Sequence, residues 1–197
     1  MRRNQPWIPE KAGLVMNVLI INASPRADGT TISLIEAFCT GLSSDVQTAQ
    51  LNLYDILPMP CMACNACQNA DACRFSDLDE LDELLRNADA LVWAVPVYNY
   101  SVPAPAKAVL DRFQRYYEAL EVRCEQIFAK TDRPCVLLLS AGRTGLYSVD
   151  IIEKQIQTAC RYTGFVLQKT VFVPNTDKAP VSEQYLLQAK EAAENLM

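Results

Sequence analysis

Runs of consecutive apolar, partly β-branched residues, separated by segments of helical period, constrain this chain more than any other feature. Four are clear: VMNVLIIN at 15–22, ALVWAV at 90–95, CVLLLS at 135–140 and VLQKTVFV at 166–173, with a weaker candidate near 47–53. A strand that is apolar along most of its length has no face to give to water, so its sheet is covered on both sides. Strands that alternate with helices are parallel, because each crossover carries the chain back to the same edge. The expected architecture is α/β: a three-layer sandwich around a five-stranded parallel sheet in the order 2-1-3-4-5.

The helices between the strands read from their apolar stripes. Leu34, Ile35, Phe38 and Leu42 share one face, as do Val109, Leu110, Phe113 and Tyr117, and Val149, Ile152, Ile156, Ala159 and Cys160. In SDLDELDELLRNADA, Ser76 and Asp79 match a capping box, and Leu78, Leu81, Leu84 and Leu85 form the stripe. Pro103 and Pro105 suit the first turn of a helix, and a last helix is expected at about 182–196. Trp93 and Phe113 are assigned to the core.

Composition narrows the function. The 197 residues carry a formal charge of −5, which gives no broad basic surface for phosphate contacts and argues against a nucleic-acid partner. The apolar runs are far shorter than a membrane span. The N-terminal stretch shows no small-residue cleavage site, so the expected location is cytoplasmic. Residues 1–15 read as an N-terminal extension, and 16–197 as one domain. The sequence contains no histidine, which removes imidazole acid–base chemistry and His-ligated zinc.

Three loops follow strands on the same edge of the expected sheet. NASPRADGTT (22–31) lies between a strand and a helix, where backbone amides and the helix start suit a single phosphate. Ser24, Thr30 and Thr31 offer hydroxyls, Arg26 a charge, and Gly29 room for close approach; a plain turn is the alternative. The next loop leaves its strand through Pro96 and Val97 and presents Tyr98, Asn99, Tyr100 and Ser101. In an open sheet of this order, ligands bind between the first and third strands, where these two loops emerge, so the tyrosines are placed to stack on a flat heterocycle. SAGRTGLYS (140–148) adds Ala141, Gly142 and Arg143, with Thr144 and Gly145, on the same edge.

CMACNACQNADAC places Cys61, Cys64, Cys67 and Cys73 within thirteen positions of a loop spanning 57–76. Repeated spacing of three lets the first three converge, and the chain before Cys73 is long enough to bring back a fourth. All-thiolate ligation fits an iron-sulfur cluster or a structural zinc, and disulfides or free thiols remain alternatives. Cys39, Cys124, Cys135 and Cys160 are expected as buried apolar residues.

The order of NVLIINASPRADGTT, the cysteine segment, ADALVWAVPVYNYSVPAPAKAVLDR and LLLSAG resembles the flavodoxin-like NAD(P)H-dependent FMN reductases, and within them the iron-sulfur flavoproteins. The resemblance implies a flavodoxin-like fold with the cysteine loop after strand 2. It implies FMN, with its phosphate at Ser24, Arg26, Gly29, Thr30 and Thr31 and its ring near Pro96 to Ser101 and Ala141 to Arg143. It implies a 4Fe-4S cluster on the four cysteines, NAD(P)H or a ferredoxin-like donor, and a homodimer or homotetramer. Family members carry a glycine-bearing PVYFGS-like turn where this chain has PVYNYS. The rival expectations are a flavin or quinone reductase without a cluster, and a non-enzymatic flavin electron carrier.

Overall fold

The computed structural model describes residues 15–143 and 146–196. The expected extension, apart from Val15, and Thr144 and Gly145 of the third loop lie outside the described residues. Five strands, β1 (Asn17–Asn22), β2 (Gln47–Asn52), β3 (Ala90–Pro96), β4 (Arg133–Ser140) and β5 (Phe165–Val173), pair in parallel in the order β2-β1-β3-β4-β5. This is the sheet expected from the apolar runs.

The period of two in each strand divides the core into two layers. Leu19, Ile21, Leu91, Trp93, Val95, Leu137 and Leu139 face one side. There they meet α3 (Asp79–Asn87), α4 (Ala104–Arg112), α5 (Gln114–Tyr117) and α6 (Leu146–Thr163). Val18, Ile20, Val92, Ala94, Val136 and Leu138 face the other side, against α1 (Thr30–Thr40) and α7 (Glu183–Glu194). Trp93 is fully buried and Phe113 nearly so, as expected. Each fully buried leucine or isoleucine here contributes about 2 kcal/mol relative to exposure.

Local differences from the expected elements have physical causes. A one-turn helix, α2 (Leu53–Ile56), follows β2 and ends at Leu57 in the left-handed region (φ 49). The capping box does not form: Leu78 occupies the cap position of α3 without a side-chain cap bond, and Ser76 instead accepts the Asp79 amide through its carbonyl. Asp77 is drawn away to Arg112, which fixes the entry to the helix by another route. The stripe from Val109 to Tyr117 does not lie on one continuous helix. The chain breaks at Phe113, resumes as α5 and widens into a π-helical turn, Glu118–Val122, closed by Arg123 N–H donating to Glu118 O and followed by Cys124 at φ 55. Cys135 and Cys160 are buried as expected, whereas Cys39 and Cys124 are exposed. Cys39 follows Phe38, whose side chain takes the buried position, and Cys124 sits on the turn that ends the π segment.

Arg133 ties two helix ends together from inside. Its Nη1 donates to Leu85 O and Ala88 O at 2.7 and 2.6 Å, its Nη2 to Thr163 O at 2.5 Å, and its guanidinium lies 3.7 Å from the Phe165 ring centre. It thereby satisfies carbonyls that the ends of α3 and α6 leave open. Burial pushes its pKa down to about 10, with Asp89 opposing, so it remains a cation at neutral pH. Among the described residues no helix is long and apolar enough to cross a membrane.

Candidate functional site

Because β1, β3 and β4 are neighbours, the loops that leave their carboxyl ends emerge side by side. The first is drawn in by Ala23 N–H donating to Ala94 O at 2.9 Å, and the second by Val97 N–H donating to Ser140 O at 2.7 Å. In the first loop the Ser24 amide donates to Asn22 Oδ1 at 2.9 Å, and the Ser24 hydroxyl accepts from the Arg26 amide at 3.2 Å. These bonds turn the chain into α1. Gly29 caps that helix with extended backbone (φ −91), and a β-carbon there would touch Arg26 Cβ at an ordinary 3.4 Å, so neither strain nor a clash requires glycine. The Arg26 side chain is exposed.

The amides of Thr30 and Thr31 precede the first helical hydrogen bonds of α1, made by Ile32 and Ser33 to Gly29 O. They are donors of the kind a phosphate takes. The Thr31 hydroxyl has another partner: it is buried and meets Ser140 Oγ at 2.9 Å. The first turn of α1 is thus bonded to the last residue of β4, beneath the space where the loops converge.

In the second loop, Tyr98 and Ser101 exchange two backbone hydrogen bonds of 2.9 Å around Asn99 and Tyr100. Asn99 (φ 49) and Tyr100 (φ 63) are both left-handed, which defines a type I′ turn. Asparagine is favoured at its first central position and glycine at its second. A tyrosine at the second position is a strained choice that holds an aromatic ring at the mouth of the site. Both tyrosines are exposed, Tyr100 at 64%.

In the third loop Ala141 is buried, Gly142 half-buried and Arg143 exposed. The segment after β5 folds over it: Thr176 and Asp177 N–H groups donate to Ala141 O and Gly142 O at 3.0 and 3.3 Å. A β-carbon on Gly142 would stand 2.6 Å from Asp177 Cγ, so the absence of a side chain is what admits that carboxylate. Sequence reasoning missed Asp177. Its only signal was its position just past the carboxyl end of the last strand.

The four clustered cysteines line a single cavity of about 380 Å³, between the loop following α2 and the segment from Asp111 to Glu118. None is in a disulfide. The backbone is shaped for it by Ala63 (φ 49), Asn65 (φ 62) and a 3-10 turn, Ala66–Gln68. Arginines clamp the loop. Arg112 donates to Phe75 O at 2.9 Å and pairs with Asp77, and Asp77 Oδ2 accepts from the Met59 amide at 2.8 Å. Asp71 is held by Arg86 and Arg115 at 2.7 and 2.8 Å, and Cys67 O accepts from Arg123 Nη1 at 2.6 Å. Burial pushes the Asp71 carboxyl up, but the bonds and charges of Arg115 and Arg86 hold it below the usual range.

Partial burial pushes the Cys67 thiol up, and Glu118, Cys61 and Cys64 add to that rise. Among the described residues no three cysteine, aspartate or glutamate side chains are already gathered to hold a metal ion. The donor set and the volume suit a group larger than one ion. Met59 and Met62, which could have shielded such a group, are exposed. The cavity is lined by the end of α4, about 13 Å along that nine-residue helix from the tyrosine turn, so it is offset from the three loops.

Similar proteins share this framework. An iron-sulfur flavoprotein of Methanocaldococcus jannaschii is 31% identical over 99 residues, 49% of this chain and 51% of that protein. An FMN-dependent NADH:quinone oxidoreductase of Beijerinckia indica is 25% identical over 174 residues, 78% of this chain and 85% of the other. In its matches to archaeal iron-sulfur flavoproteins, the chain spans about half of their length or less. The solved structure of an NAD(P)H:quinone oxidoreductase from Methanothermobacter marburgensis superposes with a TM-score of 0.69 at 22% identity, covering 92% of this chain and 96% of that one. Residues 16–197 match the Flavodoxin_2 family, described by its flavodoxin-like fold, and the chain belongs to that family.

Proposed function

We propose that this chain is an FMN-dependent oxidoreductase of the iron-sulfur flavoprotein type, which moves electrons between a ferredoxin-like or NAD(P)H donor and an acceptor through FMN and a 4Fe-4S cluster. The observation that carries this reading is that all four clustered cysteines line one cavity, in a chain whose β1, β3 and β4 loops emerge side by side. The names of the jannaschii and Beijerinckia relatives support its two halves.

When bound, FMN supplies exchange of electrons in pairs or singly. The chain's part is to bind and orient. The Thr30 and Thr31 amides, with Arg26 and Ser24, hold the phosphate. Pro96 to Ser101 and Ala141 to Arg143 flank the ring, and Tyr98 and Tyr100 exclude water from its face. Cys61, Cys64, Cys67 and Cys73 hold the cluster, whose negative charge Arg112 and Arg115 offset across the cavity wall. No acid or base from the protein is needed for electron exchange. The expected assembly is a homodimer or homotetramer in which one subunit's cysteine cavity approaches the flavin loops of another. The expected setting is the cytoplasm, with neither nucleic acid nor membrane as partner.

A second reading is an NAD(P)H-dependent FMN or quinone reductase without a cluster. The cysteines that are not gathered around a metal position favour it. Anaerobic assays separate the two. Reduction of the FMN-loaded protein by reduced ferredoxin, with electrons passing on to an acceptor and lost when Cys67 is replaced by serine, supports the first. Steady NAD(P)H–quinone turnover in protein free of iron selects the second. Failure to bind added FMN contradicts both.

A further inference from the structure

Asn22, the last residue of β1, is only 4% exposed, and it pairs in register with Asn52 at the end of β2. Both ends of its carboxamide are bonded. Asn22 Oδ1 accepts from the Ser24 amide and Asn22 Nδ2 donates to Asn52 Oδ1, each at 2.9 Å. Asn52 Oδ1 also accepts from Gln50 Nε2 at 2.9 Å, and Asn52 Nδ2 donates to Asp55 Oδ2 at 3.3 Å. Asparagine is a favoured helix cap, yet Asn52, which stands at the cap position of α2, makes no cap bond with its side chain. That side chain reaches across to β1 instead.

The direction of these bonds is set from one end. A carboxylate only accepts, so Asp55 holds the amino side of Asn52 toward itself. The carbonyl side of Asn52 then faces Asn22, and the Gln50 amino group keeps it there. Asn22 meets it with its own amino side, which leaves its oxygen for the Ser24 amide. With Asn22 turned over, its amino group would face that amide donor against donor, and a buried N–H would lose its acceptor. Ser24 Oγ in turn accepts from the Arg26 amide at 3.2 Å, so the path that starts on α2 ends inside the first loop. We infer that Asn22 and Asn52 are positioning residues for the flavin phosphate: they act through Ser24 and Arg26, whose place in the loop they fix, and not on the flavin itself. This rests on the FMN reading above, because it needs a phosphate in the first loop.

The test uses the full-length chain freed of flavin, with FMN and riboflavin as paired probes, since riboflavin carries the same ring without the phosphate. Affinities are read from quenching of flavin fluorescence. Asn22→Leu and Asn52→Leu remove the carboxamides with little change of size and none of charge. Each is expected to bind FMN about tenfold more weakly and riboflavin as tightly as the wild type does. Gln50→Leu, which leaves Asp55 to orient Asn52, is expected to keep both affinities. If Asn22→Leu does not fold, Asn52→Leu carries the test alone, because Asn52 is only half-buried. Leucine variants that lose FMN and riboflavin in equal proportion, or lose neither, overturn the inference, and so does a Gln50→Leu variant that loses FMN selectivity to the same degree. Wild-type protein that binds FMN no more tightly than riboflavin overturns the phosphate-loop reading itself, an outcome seen before any variant is made.

Discussion

The hydroxyls of Thr31 and Ser140 meet at 2.9 Å beneath the converging loops, both buried, one at the start of α1 and the other at the end of β4. This bond sets the height of the helix start against the sheet. The backbone amides expected to take a phosphate are therefore fixed by a side chain that faces away from it. Thr31→Val keeps the shape and leaves Ser140 Oγ without its partner, at an expected cost of about 1–3 kcal/mol in chemical unfolding. FMN affinity should fall with it, whereas Thr31→Ser should keep both. Affinity lost equally in the serine variant would show that this bond is not what positions the loop.

Gly142 and Asp177 make a second pair across the site. Gly142→Ala displaces only the exposed end of Asp177, so stability should change by no more than about 0.5 kcal/mol. The carboxylate, however, is moved relative to the flavin loop. Asp177→Asn removes a negative charge beside the expected ring and should raise the flavin midpoint potential, measured by spectroelectrochemical titration. A potential the same in both variants as in the wild type would place Asp177 out of electrostatic reach of the ring.

Tyr100 holds φ 63, a conformation that costs a non-glycine residue about 1–2 kcal/mol. Tyr100→Gly should therefore raise the unfolding free energy of the flavin-free protein by about 1 kcal/mol while weakening FMN binding through loss of the ring. A destabilised variant would mean that packing of the exposed tyrosine outweighs the strain of its backbone.

The arginine clamp gives the cysteine loop a pH dependence. Asp71 is held below the usual carboxylate range in the folded protein, so its contribution is fully present above the unfolded value of about 4 and is lost as pH falls through the folded one. Limited proteolysis of the loop should accelerate as pH is lowered below about 4, and in Asp71→Asn it should already be fast at neutral pH. A loop equally protected in Asp71→Asn would show that Arg112 and Arg123 suffice to hold it.

Much of this was legible in the residues and some was not, for reasons of scale. The strands announce themselves because full burial on both faces demands unbroken apolar runs such as LVWAV, and their parallel pairing follows once helices alternate with them, whereas the order 2-1-3-4-5 was supplied by the resemblance. The break at Phe113 was not legible: Val109, Leu110, Phe113 and Tyr117 keep a helical period straight through it, and only the arginines facing the cysteine loop show what the change of pitch achieves. Thr31 was read as a phosphate ligand because a hydroxyl near a helix start has two possible partners, and sequence does not show that Ser140, more than a hundred positions away, is one of them. Asp177 escaped notice for the same reason, since its contact with Gly142 is made by the return of the chain after β5.

Anaerobic purification with iron, acid-labile sulfide and FMN counted per chain tests the central claim most directly. The account predicts FMN together with about four irons and four sulfides per chain and a broad absorption near ~400 nm, all but the flavin lost when Cys61, Cys64, Cys67 or Cys73 is replaced by serine. Flavin bound in full with neither iron nor sulfide, before and after reconstitution, would contradict it.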